Sequence, residues 1–344
     1  MSLEFGILIF AIVIVLLFDL INGFHDAANS IATVVSTQVL RPGTAVLWAA
    51  FFNFIAMFIF PPKVADTISK IIKIGSSDFL YLYVVLIGVL SAIFWSLLTW
   101  WLGLPISSSH ALIGGVAGAG MAHAGWQAIE WNNLVFTIAF IVIAPLIGFI
   151  LGSLFMLAVY WAFRRWRPAA VDRLFRKGQL ISAALYSIGH GANDAQKMMG
   201  IIMALLLAAG QISHDTPLSL GDPRTAWIIF TCQAAMGLGT AIGGWRIVKT
   251  MGMKITKLEP VGGFCAETAG ACTLFFASYF GIPVSTTHTI VGGIIGVGAM
   301  SHKISNIRWN IAGGIIWAWI LTIPLAAGLA AALFRIGTAL SLFS

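Results

Sequence analysis

Long apolar runs separated by short polar or Gly/Pro interruptions make up almost the whole chain: residues 5–40, 44–60, 79–104, a segment reaching 163, 179–209, 227–245, 260–282 and 311–333. About 20 apolar residues suffice to cross a bilayer as a helix, so these runs predict membrane segments. The first is too long and too interrupted for one simple span, because Asp19, Asn22, His25, Asp26 and Asn29 fall within or just after its apolar part. It reads as a helix that breaks near Gly23, ended by Arg41-Pro42-Gly43; Pro61-Pro62 closes the second run. A loop with Lys63, Lys70 and Lys73 leads into the third, and the polar stretch 123–133 precedes the apolar segment that ends at Phe163. The later runs follow the same plan. Residues 179–209 carry SIGHGANDAQK at mid-membrane, with Gly189 and Gly191 as the predicted break, and 227–245 carry Gly239 and Gly243 as a packing face.

The plan recurs because the chain is duplicated. PISSSHALIGGVAGAG (105–120) and PVSTTHTIVGGIIGVG (283–298) share the proline, the first serine, the histidine and four glycines at an offset of 283 − 105 = 178. Trp131-Asn132 maps to Trp309-Asn310 at the same offset. Upstream, Gly23-Phe24-His25-Asp26 aligns with Gly191-Ala192-Asn193-Asp194 at 194 − 26 = 168, the difference fitting the longer polar loop 210–223 with Asp215 and Asp222. The expected organisation is a first membrane repeat over 1–163, a basic cytoplasmic linker over 164–178 and a second repeat over 179–344. The fold class expected is an all-α polytopic membrane protein with two homologous halves.

Composition narrows the class. At 59% hydrophobic and 9% charged residues, a soluble fold has nowhere to place its apolar surface. The first run lacks a basic leader and a small-residue cleavage pattern, so it reads as a retained segment. The net charge of +7 is no nucleic-acid footprint. Its largest cluster, Arg164, Arg165, Arg167, Arg173, Arg176 and Lys177, reads as a topology determinant. Cys232, Cys265 and Cys272 have no metal-ligand spacing, and no cofactor is expected.

Two topologies compete. If 79–104 and 260–282 are full spans, each half crosses four times and the halves are parallel; if each is the first arm of a re-entrant hairpin, each crosses three times and the halves are inverted. Lys63, Lys70 and Lys73 favour the parallel count, since inversion puts them outside. Inversion is preferred, because two opposed hairpins whose Pro-x-Ser-[Ser/Thr]-[Ser/Thr]-His tips meet at mid-depth build one site from a duplication.

Each tip reads as a turn, three hydroxyl residues and a helix start. Inside a membrane its hydroxyls, free N–H groups and helix dipole form an anion site without formal charge. Intramembrane carboxylates cost at least about 2.5 kcal/mol on insertion scales, which marks the repeat-related Asp26 and Asp194 as functional. Asn29 lies three residues after Asp26, and Lys197, in the matching place, can neutralise a carboxylate. Asp19 reads as a helix-end residue, and Glu267 is another carboxylate among apolar residues. His110 and His288 either orient the tips or move protons. Tips that attract an anion beside carboxylates that repel it imply a cation, Na⁺ or H⁺, at the aspartates: cation-coupled anion symport. An anion channel and an intramembrane enzyme are the other classes that such residues allow, although a twofold copy of the whole motif suits translocation better than catalysis.

The segments DLINGFHDAAN (19–29) and GHGANDAQK (189–197), with the turns PISSSH and PVSTTH, closely resemble the inorganic phosphate transporter (Pit) family of bacteria, over nearly the whole chain. The resemblance implies uptake of inorganic phosphate across the plasma membrane, driven by H⁺ or Na⁺, on an inverted-repeat fold with two hairpins. It implies phosphate contacts at Ser107, Ser108, Ser109, Ser285, Thr286 and Thr287. The cation side would be Asp26, Asn29, Asn193 and Asp194, with Na⁺ at these four if sodium is the ion. His110, His288, Lys197 and Glu267 are the supporting set. His25, in place of an asparagine, resembles the proton-coupled, low-affinity type and points to H⁺, with His25 contributing. Sulfate or another oxyanion is the alternative substrate. The expected partners are phosphate, free or as a metal complex, the lipid bilayer and a second copy of the chain in a homodimer.

Overall fold

A computed structural model describes residues 3–71, 80–301 and 307–342; the loop lysine Lys73 lies outside these. The described residues are all-helical apart from turns and connectors. The first half comprises α1 (Leu3–Ser36), α2 (Pro42–Ile55), α3 (Lys63–Ser69), α4 (Leu80–Leu102), α5 (Ser108–Ala124) and α6 (Trp131–Phe163). The second repeats them as α7 (Pro168–Ala208), α8 (Ala226–Ile242), α9 (Trp245–Lys249), α10 (Pro260–Phe280), α11 (Thr286–Ser301) and α12 (Trp309–Ala339). Among the described residues five helices are long and apolar enough to cross a membrane, or seven if each bent pair is one span. Large apolar side chains such as Val142, Leu146, Ile150 and Leu154 of α6 are exposed, as on a lipid-facing surface.

Pro42, Pro168 and Pro260 open α2, α7 and α10, where a missing N–H costs nothing. α7 therefore starts inside the basic stretch, and residues 168–178 form its first turns. The interruptions differ in kind. Pro61-Pro62 separates α2 from α3 with an 84° bend, and Gly243-Gly244 separates α8 from α9 with a 60° bend. Gly243, at φ +80°, ends α8 rather than extending a packing face.

The breaks expected near Gly23 and at Gly189 and Gly191 do not occur: α1 and α7 run unbroken for 34 and 41 residues. These glycines serve approach instead. A Cβ on Gly23 would collide with the Met236 backbone of α8, and one on Gly191 with the Asn53 backbone of α2. Intrahelical hydrogen bonds survive at glycine when packing holds the helix, so the missing side chain sets helix separation rather than a bend. Gly114 and Gly118 of α5 lie against α12, at Ile323 and Ala327; Gly292 and Gly296 of α11 lie against α6, at Pro145 and Phe149.

These contacts obey the duplication. α1 packs on α8 as α7 packs on α2, and α5 on α12 as α11 on α6, so every element leans on the other half. α1 and α7 run antiparallel, since Thr37 bonds Gln179 and Ser30 bonds His190. One apolar cluster surrounds the N-terminal half of α1 with Phe18, Leu82, Val85 and Met198, and a second surrounds its C-terminal half with Ile31, Tyr186, Met251 and Ile290. The polar residues lie between them.

Candidate functional site

α4 and α10 each end in a glycine in the left-handed region, Gly103 and Gly281, both at φ +70° and related by 281 − 103 = 178. The Leu104 and Ile282 N–H groups reach back to Thr99 O and Ala277 O, at 2.9 and 2.8 Å, which completes a stop that a residue with a Cβ adopts poorly. The next four residues are non-helical, and α5 and α11 then begin at Ser108 and Thr286. Ser107 and Ser285 cap them: each side-chain oxygen accepts the N–H of the histidine three residues on, at 3.3 and 3.2 Å. The hydroxyl triplets are thus one cap and two first-turn residues each, all buried.

The two helix starts meet. The His110 and His288 rings are 4.8 Å apart, and His288 stacks on Trp319 of α12 at 3.8 Å. Trp319 Nε1 donates to Pro105 O at 2.9 Å, tying the last helix to the first tip.

Behind the tips the aspartates form a twofold-related pair of contacts. Ser108 Oγ donates to Asp26 Oδ1 at 3.2 Å, and Thr286 Oγ1 donates to Asp194 Oδ2 at 2.9 Å. A second pair crosses between halves. Asn29 Nδ2 donates to Thr287 Oγ1 at 2.9 Å, and its counterpart Lys197 donates from Nζ to Ser109 Oγ at 2.7 Å. Asn29 also reaches Thr286 Oγ1, and Lys197 also holds Asp194 Oδ1 and Val284 O. His25 Nδ1 lies 2.7 Å from Asp26 Oδ1, with Nε2 at 3.4 Å from Thr99 Oγ1. In this state the hydroxyls of both tips engage the buried polar side chains behind them.

The expected residues do not all converge. Asn193 is turned to the backbone of the second tip: its amide donates to Ile282 O at 3.1 Å and accepts from Val284 N at 3.2 Å. With Asn193 so engaged and the Lys197 ammonium already against Asp194, Asp26, Asn29, Asn193 and Asp194 do not form one oxygen cage for Na⁺ in this arrangement. Glu267 lies apart on α10 and accepts from Ser182, Thr33 and Gln179 at 2.5, 2.6 and 2.9 Å. That network joins α1, α7 and α10 on the α1 C-terminal side. His190, repeat counterpart of Asn22 (190 − 22 = 168), was not among the expected residues. It places Nε2 at 3.2 Å from Asp194 Oδ2 and Nδ1 near Ser30 and Asn53, and Asp26, His190 and Asp194 offer ligand atoms all within 4.8 Å of one another. The signal available was a polar residue matched to a polar residue at the 168 offset.

Interlocked halves, helix starts converging on buried charge and a lipid-facing apolar surface define a polytopic membrane protein of the transporter class. The phosphate transporter family matches residues 22–330. The chain is 54% identical, over 95% of itself and 95% of the relative, to a protein of Rhizobium meliloti (strain 1021) named a probable low-affinity inorganic phosphate transporter. It is 43% identical, over 94% and 95%, to one of the same name in Bacillus subtilis (strain 168). A solved structure titled "The sodium-dependent phosphate transporter" covers 98% of this chain and 100% of its own, at a TM-score of 0.84 and 24% identity, and so shares the fold. The chain belongs to the phosphate transporter family, whose members are transporters and not enzymes.

Proposed function

We propose that this chain is a secondary active transporter that imports inorganic phosphate across the plasma membrane in symport with H⁺, on inverted repeats whose two re-entrant tips bind the anion at mid-depth. The observation that carries this reading is the twofold set of contacts in which Ser108 and Thr286 bond Asp26 and Asp194 at the meeting point of two helix N-termini. Free N–H groups and hydroxyls there match a tetrahedral oxyanion, and neither tip needs a formal charge. The names of the Rhizobium and Bacillus relatives support phosphate over sulfate. The solved relative is titled sodium-dependent; against Na⁺ here stand the Lys197 ammonium, which already neutralises Asp194, and the imidazole beside Asp26. Uptake by the full chain in liposomes, with phosphate, sulfate and arsenate in parallel and with imposed pH or Na⁺ gradients, tests this reading. Sulfate accumulation without phosphate accumulation overturns it, as does uptake that never exceeds equilibration.

Inversion is supported by the antiparallel course of the counterpart helices α1 and α7, which pass each other where Asp26 and Asp194 come within reach of His190. One end of the molecule gathers the basic groups: Arg176 Nη1 donates to Gln38 O just beyond α1, and the turn after α9 that leads to Lys254 packs at Gly252 on Ala32 O near the same end of α1. By the positive-inside rule that end is cytoplasmic. α3 then lies outside, where Lys70 pairs with Asp66 and Lys63 lies over the Tyr279 ring, so its lysines weigh little against inversion. A cleft of about 790 Å³, bounded by Lys63, Asp66, Met203, His214 and Gly281, opens at this outer end beside the approach to the second tip. Single cysteines at Asp66→Cys and Lys249→Cys, with Cys232, Cys265 and Cys272 replaced, are expected to react with an impermeant thiol reagent from opposite sides. Labelling of both from one side would make the repeats parallel.

A further inference from the structure

Among the described residues Asp19, Asp26, Asp194 and Glu267 are the carboxylates buried between the helices, and three of them have donors at hydrogen-bonding distance. Asp26 has His25 and Ser108, Asp194 has Lys197, His190 and Thr286, and Glu267 has three neutral donors. Asp19 has none. It is fully buried in α1, neither of its oxygens has a hydrogen-bond partner, and Asn22 Oδ1, one turn on, is likewise unpartnered. The titratable groups that act on it are the Cys232 thiol of α8 and, through space, Asp194 of α7. α2 and α4 bring no acidic or basic side chain, and the Lys197 ammonium of α7 already has three acceptors. Arg246 and Lys249 of α9 are exposed, and Arg246 is engaged by Trp101 O at the end of α4.

An ionised carboxylate with no counter-charge, and with only a weak thiol and a side-chain amide beside it, is too costly to keep in such a place, so the position demands a cation or a proton. Sodium takes several oxygen ligands. The groups that α8 presents here are sulfurs, Cys232 Sγ beside Asp19 and Met236 Sδ, which receives the Asn22 amide at 3.8 Å. Soft sulfur serves Na⁺ badly, whereas a proton needs no shell.

We propose that the Asp19 carboxyl carries the coupled proton. An O–H bond forms on the carboxylate when the outer end of α1 admits water, and it breaks to release H⁺ when the inner end does. Asp19, Asn22, Asp26, Asn29 and Thr33 of α1, with Thr37 just past its end, are spaced by three or four residues and make one buried polar stripe from this carboxyl toward the cytoplasmic end. The repeat counterpart, Ser187 (187 − 19 = 168), does not titrate and bonds Ala183 O, so one half alone carries the proton.

The assignment rests on the proton-symport reading, and two assays on the full chain in liposomes separate them: net phosphate uptake driven by an imposed pH gradient, and phosphate–phosphate exchange at equal pH. One coupled proton is worth about tenfold accumulation per pH unit. Asp19→Asn is expected to lose that tenfold per unit while exchanging phosphate at the wild-type rate, and Asp19→Glu to regain it. The assignment is overturned if Asp19→Asn accumulates phosphate as the wild type does, or if it loses exchange along with accumulation, the mark of a structural role. Wild type that exchanges phosphate but accumulates it only on a Na⁺ gradient overturns the proton-symport reading and the Asp19 assignment with it, and leaves phosphate transport standing. Wild type that exchanges no phosphate overturns the transport reading with it.

Discussion

Asp194→Asn is expected to abolish phosphate uptake and to do so more completely than Asp26→Asn. Asp194 is fully buried and holds the Lys197 ammonium, which otherwise meets only Ser109 Oγ and Val284 O. Removing one partner of a buried ion pair costs about 3 to 5 kcal/mol, because the remaining charge stays desolvated. Asp26 has an imidazole and a hydroxyl, so its loss strands no fixed charge. The two effects, on folding and on transport, separate in Asp194→Asn/Lys197→Met. Replacing both charges removes the stranded ammonium, so membrane-inserted protein should recover to near wild-type amounts on size-exclusion chromatography while uptake remains absent. Wild-type accumulation in either Asp194 variant would take this carboxylate out of the mechanism.

Ser108→Ala and Thr286→Ala should each weaken phosphate binding by roughly tenfold or more, since a hydrogen bond to a charged group is worth about 1.5 to 3 kcal/mol. Each hydroxyl now donates to an aspartate at 3.2 or 2.9 Å and is, in the proposed function, one of the groups that bind the anion. Because the two positions are repeat-related, similar losses are expected from both. Thr286→Ser should restore most of the affinity, which a loss of packing would not allow. Unchanged affinity in both alanine variants, measured by direct binding to purified protein, would remove the tips from the site.

Much of this arrangement was legible in the amino-acid order because duplication leaves matched copies. The Pro105 and Pro283 turns and the offset joining Asp26 to Asp194 named the residues that the fold brings together. Glycine was read less well. Gly23, Gly189 and Gly191 were expected to break helices, but local sequence does not say whether a missing side chain serves a bend or a neighbouring backbone. Gly103 and Gly281, which lie inside the apolar runs 79–104 and 260–282, are the ones that stop α4 and α10. Long-range hydrogen bonding was not legible at all. The Glu267 carboxylate draws donors from 85 and 234 residues away, and only packing decides that Ser182 and Thr33 arrive there. Asp19 looked like a helix-end residue because the helix was expected to end; inside an unbroken α1 it becomes a buried carboxyl with no partner.

The crosswise packing of the halves also constrains how the protein is made. The glycines of α5 that close on α12 and Gly23 of α1, which closes on α8, find their complements only in chain synthesised later. An emerging first half therefore holds Asp19, Asp26 and two bare helix faces in the membrane without their shelter. A message truncated near residue 163 should yield a product that quality-control proteases remove, whereas co-expression with a fragment starting at residue 164 should rescue both pieces together.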